Sequence, residues 1–180
     1  DVSARGAYTH MTLLAETTEG MHNLFRMSSL ASLEGQMGKW PRIDRDLMST
    51  YGKGLIATSG CASGEIQVRL RLGQYEQAVA SAAEFRDIFG KGNFYVELMD
   101  HGLDIETRVQ KDLLRIAQEI GAPLVATNDL HYTKQEDATS HAALLCVQSG
   151  STMQDPNRFR FDGDGYYLKT AEEMRHVWRE

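Results

Sequence analysis

Strand-like and helix-like segments alternate along almost the whole of this 180-residue chain, and that alternation limits its fold more than any other feature. Tyr8 to Ala15 (YTHMTLLA) alternates as a strand does, with His10, Thr12 and Leu14 on one face. Met21, Leu24, Phe25 and Ala31 fit the inward side of a helix from Gly20 to about Gln36, and Ile43 to Tyr51 reads as a shorter one. Gly54 to Ser59 (GLIATS) is a buried-type strand that runs into the turn GCASGE, with a helix through Ile66 to Leu72. Ala78, Ala82, Phe85 and Phe89 then trace a helical stripe that stops at Gly90. Asn93 to Met99 (NFYVELM) is rich in β-formers, Ile105 to Ile120 carries another stripe, and Leu124 to Thr127 (LVAT) makes a fourth strand. Thr133 with Glu136, and Thr170 with Glu173, match the capping-box spacing, so a helix is expected after each threonine. Phe159 to Lys169 (FRFDGDGYYLK) reads as a turn.

This order predicts an α/β fold with parallel pairing, because parallel strands need a crossover between them. A closed eight-stranded barrel takes about 250 residues. Four strands therefore make either an open sheet or part of a barrel. The length suits a single domain over residues 1–180. A chain that begins at Asp1 rather than Met is expected to be a piece of a longer one.

The net charge of −6 argues against gripping nucleic acid by bulk electrostatics, although a metal site could still handle phosphate. Cys61 and Cys146 are the only cysteines, which is no disulfide framework. No apolar run approaches membrane-spanning length. A cytoplasmic protein with no membrane partner is expected.

Asp129 and His131 lie two apart after the last strand, and in an extended backbone they would face the same way. Cys61 follows the GLIATS strand and His10 sits on the first. Two imidazoles, a thiolate and a carboxylate suit zinc or a similar transition ion better than magnesium or calcium. The residues alone leave open a plainer account: a buried free cysteine, a core histidine and a polar turn. Glu97 is an unusual carboxylate within a buried-type strand. His101 ends that strand, where capping a loop is a better account than touching substrate phosphate. His141 shares the inward stripe of its helix and is expected as a hydrogen-bonded core histidine. His22, His176 and the arginine pairs Arg69/Arg71 and Arg158/Arg160 read as solvated surface, and Cys146 as packing. No P-loop is present, and the Asp-Gly-Asp-Gly turn lacks the glutamate of a calcium loop.

In order, the blocks YTH, SGCASGE, YVELMDHGL, ATNDLHY, HAALLCVQSG and FDGDGYYLKTAEEM resemble the later part of the PHP (polymerase and histidinol phosphatase) domain of bacterial DNA polymerase III alpha subunits, in the actinobacterial style. The resemblance implies part of a distorted, TIM-like β/α barrel lacking its N-terminal strands, with the last ~15 residues leading toward the polymerase body. It also implies that His10, Cys61, Asp129 and His131 are ligands of a divalent metal cluster, with zinc first and manganese or magnesium as alternatives. Asp129 and His131 are then the catalytic pair, with Glu97, His101 and His141 as supporting residues behind the ligands. The implied activity is a metal-dependent 3′→5′ proofreading exonuclease within a DNA-directed DNA polymerase of DNA replication. Its expected partners are the DNA primer 3′ end, the rest of the polymerase chain and replisome subunits such as the sliding clamp. A non-catalytic scaffold is the alternative, with a stand-alone phosphoesterase behind it. The family's opening His-x-His motif and the ligands that follow it are not among these residues, so the fragment alone is expected to be inactive.

Overall fold

The computed structural model describes residues 8–38 and 40–178. The elements run β1 (Thr12–Ala15), α1 (Thr18–Leu33), β2 (Gln36–Met37), β3 (Trp40–Pro41), α2 (Arg45–Tyr51), β4 (Leu55–Thr58), α3 (Glu65–Arg71), α4 (Tyr75–Phe89), β5 (Phe94–Leu98), α5 (Asp104–Ile120), β6 (Leu124–Ala126), α6 (Ala138–Ser149) and α7 (Ala171–Val177). They form two compact units: one takes the chain up to Leu98 with Arg108–Val125, the other Met99–Thr107 with the chain from Ala126 onward.

The first unit is an α/β layer built on a four-stranded sheet in the order β1-β4-β5-β6. Strands β4 and β5 pair in parallel, with Ala57 opposite Phe94. Leu55 and Ala57 on β4, with Phe94 and Val96 on β5, are fully buried, as are Ile66 of α3 and Ile116 of α5. Strands covered on both sides are apolar at nearly every position, which is why GLIATS and NFYVELM read as continuous runs.

Two expectations need correction. Strand β1 pairs with β4 antiparallel, from Thr12 opposite Thr58 to Ala15 opposite Leu55. The physical reason lies at Gly54, whose carbonyl accepts from Glu16 N–H at 2.9 Å and ties the end of β1 beside the start of β4. Helix α1 also turns differently from its expected stripe: Gly20, Met27 and Ala31 are buried, while Met21 and Phe25 are 42% and 60% exposed. A methyl group on Gly20 would sit 1.9 Å from the Gly54 oxygen, so this glycine is what allows the close approach. The β2–β3 hairpin, with Met37 opposite Trp40, was not foreseen.

The second unit has a smaller core centred on Leu145, Cys146 and Tyr166. Helix α7 starts with the expected reciprocal cap: Glu173 N–H donates to Thr170 Oγ1 at 3.2 Å and Thr170 N–H to Glu173 Oε2 at 2.7 Å. The other box lies one residue later than expected. Lys134 N–H donates to Asp137 Oδ2 at 2.9 Å, and a short 3₁₀ turn over Gln135–Asp137 leads into α6. Among the described residues, no helix is long and apolar enough to cross a membrane.

Candidate functional site

In the first unit, the end of β4 and the turn after it place Cys61 beside His10. Gly60 adopts φ +78°, and a Cβ there would meet the His10 carbonyl at 2.8 Å, so glycine lets the two segments touch. His10 N–H donates to Ser63 O at 3.0 Å. Cys61 Sγ then lies 3.6 Å from His10 Nδ1 and accepts from Ser63 N–H at 3.4 Å.

This turn rests on a buried polar cluster. Glu97, only 6% exposed, accepts from the Thr58 hydroxyl and, at 3.1 Å, from Gly60 N–H. The Glu97 backbone N–H donates to Ser59 Oγ at 2.9 Å. Gln67, buried on α3, donates to Gly60 O at 2.9 Å and Ser59 Oγ at 3.1 Å. Glu97 therefore sits behind the cysteine turn, as the sequence suggested. Gln67 was missed; a neutral amide on an inward helix face carries little signal of its role. A cleft of about 340 Å³ opens beside His10, lined by Tyr8, Met11, Arg42, Arg45 and Glu65 among others. Glu65 is gripped by Arg45 at 2.9 Å and Ser81 at 2.7 Å. Burial pushes its carboxyl upward, but these donors with Arg69 outweigh it and hold its pKa below the usual range.

In the second unit, Asp129 and His131 do not share the face of an extended strand. Strand β6 ends at Ala126, and Asp129 adopts φ +42°, in the left-handed region that is uncommon for residues other than glycine. The resulting turn brings His131 Nδ1 to 2.6 Å from the Asp129 carbonyl oxygen. A proton on Nδ1 makes that bond and leaves the Nε2 lone pair for a cation, the arrangement typical of metal-binding histidines. His131 N–H donates to Tyr166 O at 2.8 Å.

Asn128 clasps this turn to the FDGDGYYLK segment. Its Nδ2 donates to Gly165 O and Tyr167 O, each at 2.7 Å, and its Oδ1 accepts from Lys169 Nζ at 2.9 Å. Burial pulls the Lys169 pKa down. His101 completes the clasp as a loop-holding residue: Nε2 lies 2.9 Å from Asn128 O and Nδ1 2.7 Å from Glu106. Both ring nitrogens are engaged, and the ring stacks on Tyr166 at 4.2 Å. Neither nitrogen is left for a substrate phosphate. His141 differs from expectation. Its half-buried ring packs against His131 at 5.5 Å, Phe161 at 4.9 Å and Tyr132 at 5.4 Å, with no hydrogen-bond partner among the described residues. Burial, with the nearby His131, lowers its pKa and keeps it neutral. Cys146 packs against Met153, as expected.

Among the described residues, no three His, Cys, Asp or Glu side chains form a group that could hold a metal ion. Each unit on its own presents a donor: the first a part-exposed thiol that accepts a backbone N–H, the second an imidazole with one nitrogen fixed on a carbonyl.

The PHP domain model matches residues 1–101, and the chain belongs to the PHP domain family. It is similar to the DNA polymerase III subunit alpha of Saccharopolyspora erythraea, 59% identical over 99% of this chain. The same-named subunits of Mycobacterium leprae and Deinococcus radiodurans are 56% and 45% identical, over 99% and 93% of this chain. The chain spans 12–15% of the length of these curated relatives.

Proposed function

We propose that the chain is part of the PHP domain of a DNA polymerase III alpha subunit, and that the intact domain is a metal-dependent 3′→5′ exonuclease acting on the primer end. In this reading the domain is a distorted β/α barrel and the parent chain a cytoplasmic DNA-directed DNA polymerase that meets DNA and the other replisome subunits. The observation that carries the nuclease reading is the pair of prepared ligands, Cys61 beside His10 at 3.6 Å and His131 with its Nδ1 fixed on the Asp129 carbonyl.

His10, Cys61, Asp129 and His131 would hold divalent metal, with further ligands from the longer chain. When bound, such cations supply a nucleophilic water near neutral pH and neutralise phosphodiester charge, with zinc the ion best suited to these donors. The chain's own contribution is to fix the donors. Glu97 and Gln67 hold the turn that presents Cys61. Asn128, His101 and Lys169 hold the turn that presents Asp129 and His131. A carboxylate at Asp129 and a neutral imidazole at His131 are the protonation states needed near neutral pH.

The test uses the full-length polymerase and a mismatched primer-template. Chelator-reversible 3′→5′ cleavage that disappears in Asp129→Asn, with melting unchanged, supports a nuclease. A second reading, a scaffold for the polymerase body, draws on the lack of a three-ligand group among the described residues. It predicts no cleavage, metal content near zero, and a variant that loses stability. Turnover of small phosphate esters by the domain alone would favour a stand-alone phosphoesterase instead.

A further inference from the structure

Helix α6 (Ala138–Ser149) carries no charge: none of its twelve residues is Asp, Glu, Lys or Arg. Leu145 and Cys146, 8% and 5% exposed, face the core of the second unit. The opposite side is apolar too. Ser140, Ala143, Leu144 and Val147 recur at the spacing of one helical face and all four are exposed, Leu144 by 64% and Val147 by 80%. A helix with water on one side normally places charge there, as α5 does with exposed Arg108, Lys111, Arg115 and Glu119 behind its buried stripe. A helix apolar all round is an interior helix. So α6 has the composition of a buried element and a face left open. That composition also excludes a nucleic acid as its cover, since a phosphate backbone is met by Lys and Arg. Two small residues, Ser140 and Ala143, beside two branched ones form the i, i+3, i+4, i+7 surface on which a second helix packs.

We propose that this face of α6 is a docking surface for an apolar helix from the rest of the same polymerase chain. The relatives supply the occupant: this chain spans 12–15% of their length, so most of such a protein lies outside it. A tethered segment also reaches the face at a far higher effective concentration than a second copy does. The occupant rests on reading the chain as part of a DNA polymerase III alpha subunit; it does not depend on the nuclease.

The experiment uses the full-length polymerase, with primer extension by the wild type checking the polymerase reading separately. Leu144→Cys and Val147→Cys are each alkylated with iodoacetamide, and tandem mass spectrometry separates the new thiol from Cys146. Lys134→Cys, at a side chain 71% exposed, is the open reference. Both α6 thiols should react at least tenfold more slowly than the reference, at every protein concentration. Equal rates overturn the proposal. Protection that fades on dilution assigns the face to a second copy and overturns it as well. A diazirine-bearing aliphatic residue in place of Val147 then identifies the cover, and does so even if one cysteine variant fails to fold. Photo-adducts should fall outside this 180-residue stretch, at helical spacing, and adducts confined to the stretch overturn the proposed occupant. If the wild type does not extend a primer while the thiols stay protected, the polymerase reading fails and a covered α6 face stands.

Discussion

His101 and Glu106 are joined twice: the imidazole Nδ1 and the backbone N–H of His101 each lie 2.7 Å from the Glu106 carboxylate. Their side chains are 2% and 10% exposed. Burial disfavours the imidazolium, but Glu106 and the Asn128 carbonyl outweigh it and raise the His101 pKa. Burial likewise pushes Glu106 up, and the contacts from His101 more than reverse it. A raised histidine contributes stability that is complete below its unfolded pKa and is lost as pH climbs through the folded one. A depressed carboxylate contributes stability that is lost as pH falls through its folded pKa. Protection of the Asn128–His131 amides, corrected for intrinsic exchange, should therefore form a plateau bounded by these two titrations. A profile with no fall on either side contradicts the pairing. Glu106→Gln should cost about 3 kcal/mol in denaturant melts, as removal of one partner from a buried pair does.

If Cys61 is a metal ligand as proposed, Glu97 should matter to metal binding as well as to the fold. Glu97→Ala removes the one oxygen to which both Gly60 N–H and the Thr58 hydroxyl donate, and loosens the turn that carries Cys61. The expected outcome is a loss of about 1–3 kcal/mol in stability and a 10–100-fold fall in zinc affinity. Competitive titration against a chromophoric chelator measures the second, and unchanged affinity would remove Glu97 from its supporting role.

The Gly20–Gly54 contact predicts a steep dependence on one methyl group. Gly20→Ala places a Cβ where the Gly54 oxygen already lies and should destabilise by about 1–3 kcal/mol, or more. Ser29→Ala, on the exposed side of α1, should shift stability by less than about 0.5 kcal/mol. Similar melting of the two variants would show that α1 can slide away.

Asp129 offers a way to separate backbone from carboxylate. With φ at +42°, Asp129→Gly should relieve strain, whereas Asp129→Val should be about 1–2 kcal/mol less stable than the glycine variant. Both should lack chelator-sensitive exonuclease activity if the carboxylate is a ligand. An active glycine variant would mean that the turn alone is needed.

Where a pattern depends only on local periodicity, the sequence was readable. The expected α5 stripe is buried at Val109, Leu113, Ile116 and Ile120, while its first member, Ile105 in the opening turn, is exposed. The α1 face was misjudged because Phe25 and Met21 look like core residues, while the real determinant is a glycine pair over thirty residues apart in the chain. The direction of β1 depended on another distant contact, from Glu16 N–H to the Gly54 carbonyl. For the candidate site, residues with reactive side chains announced themselves: His10 and Cys61 do meet. Asn128 and Gln67, which hold the turns carrying His131 and Cys61, are neutral amides whose side chains make three and two hydrogen bonds visible only once the chain is folded.

The Asn128 clasp has a consequence for how this region can vary. One carboxamide closes the ring from Asn128 to Gly165 and Tyr167, so Asp129 is held by the ends of the intervening segment rather than by its length. The entropy of closing such a ring grows only with the logarithm of its size, about 0.6 kcal/mol per doubling. The loop after helix α6 can therefore be lengthened, as a bag may be let out below a drawstring, with the mouth keeping its shape.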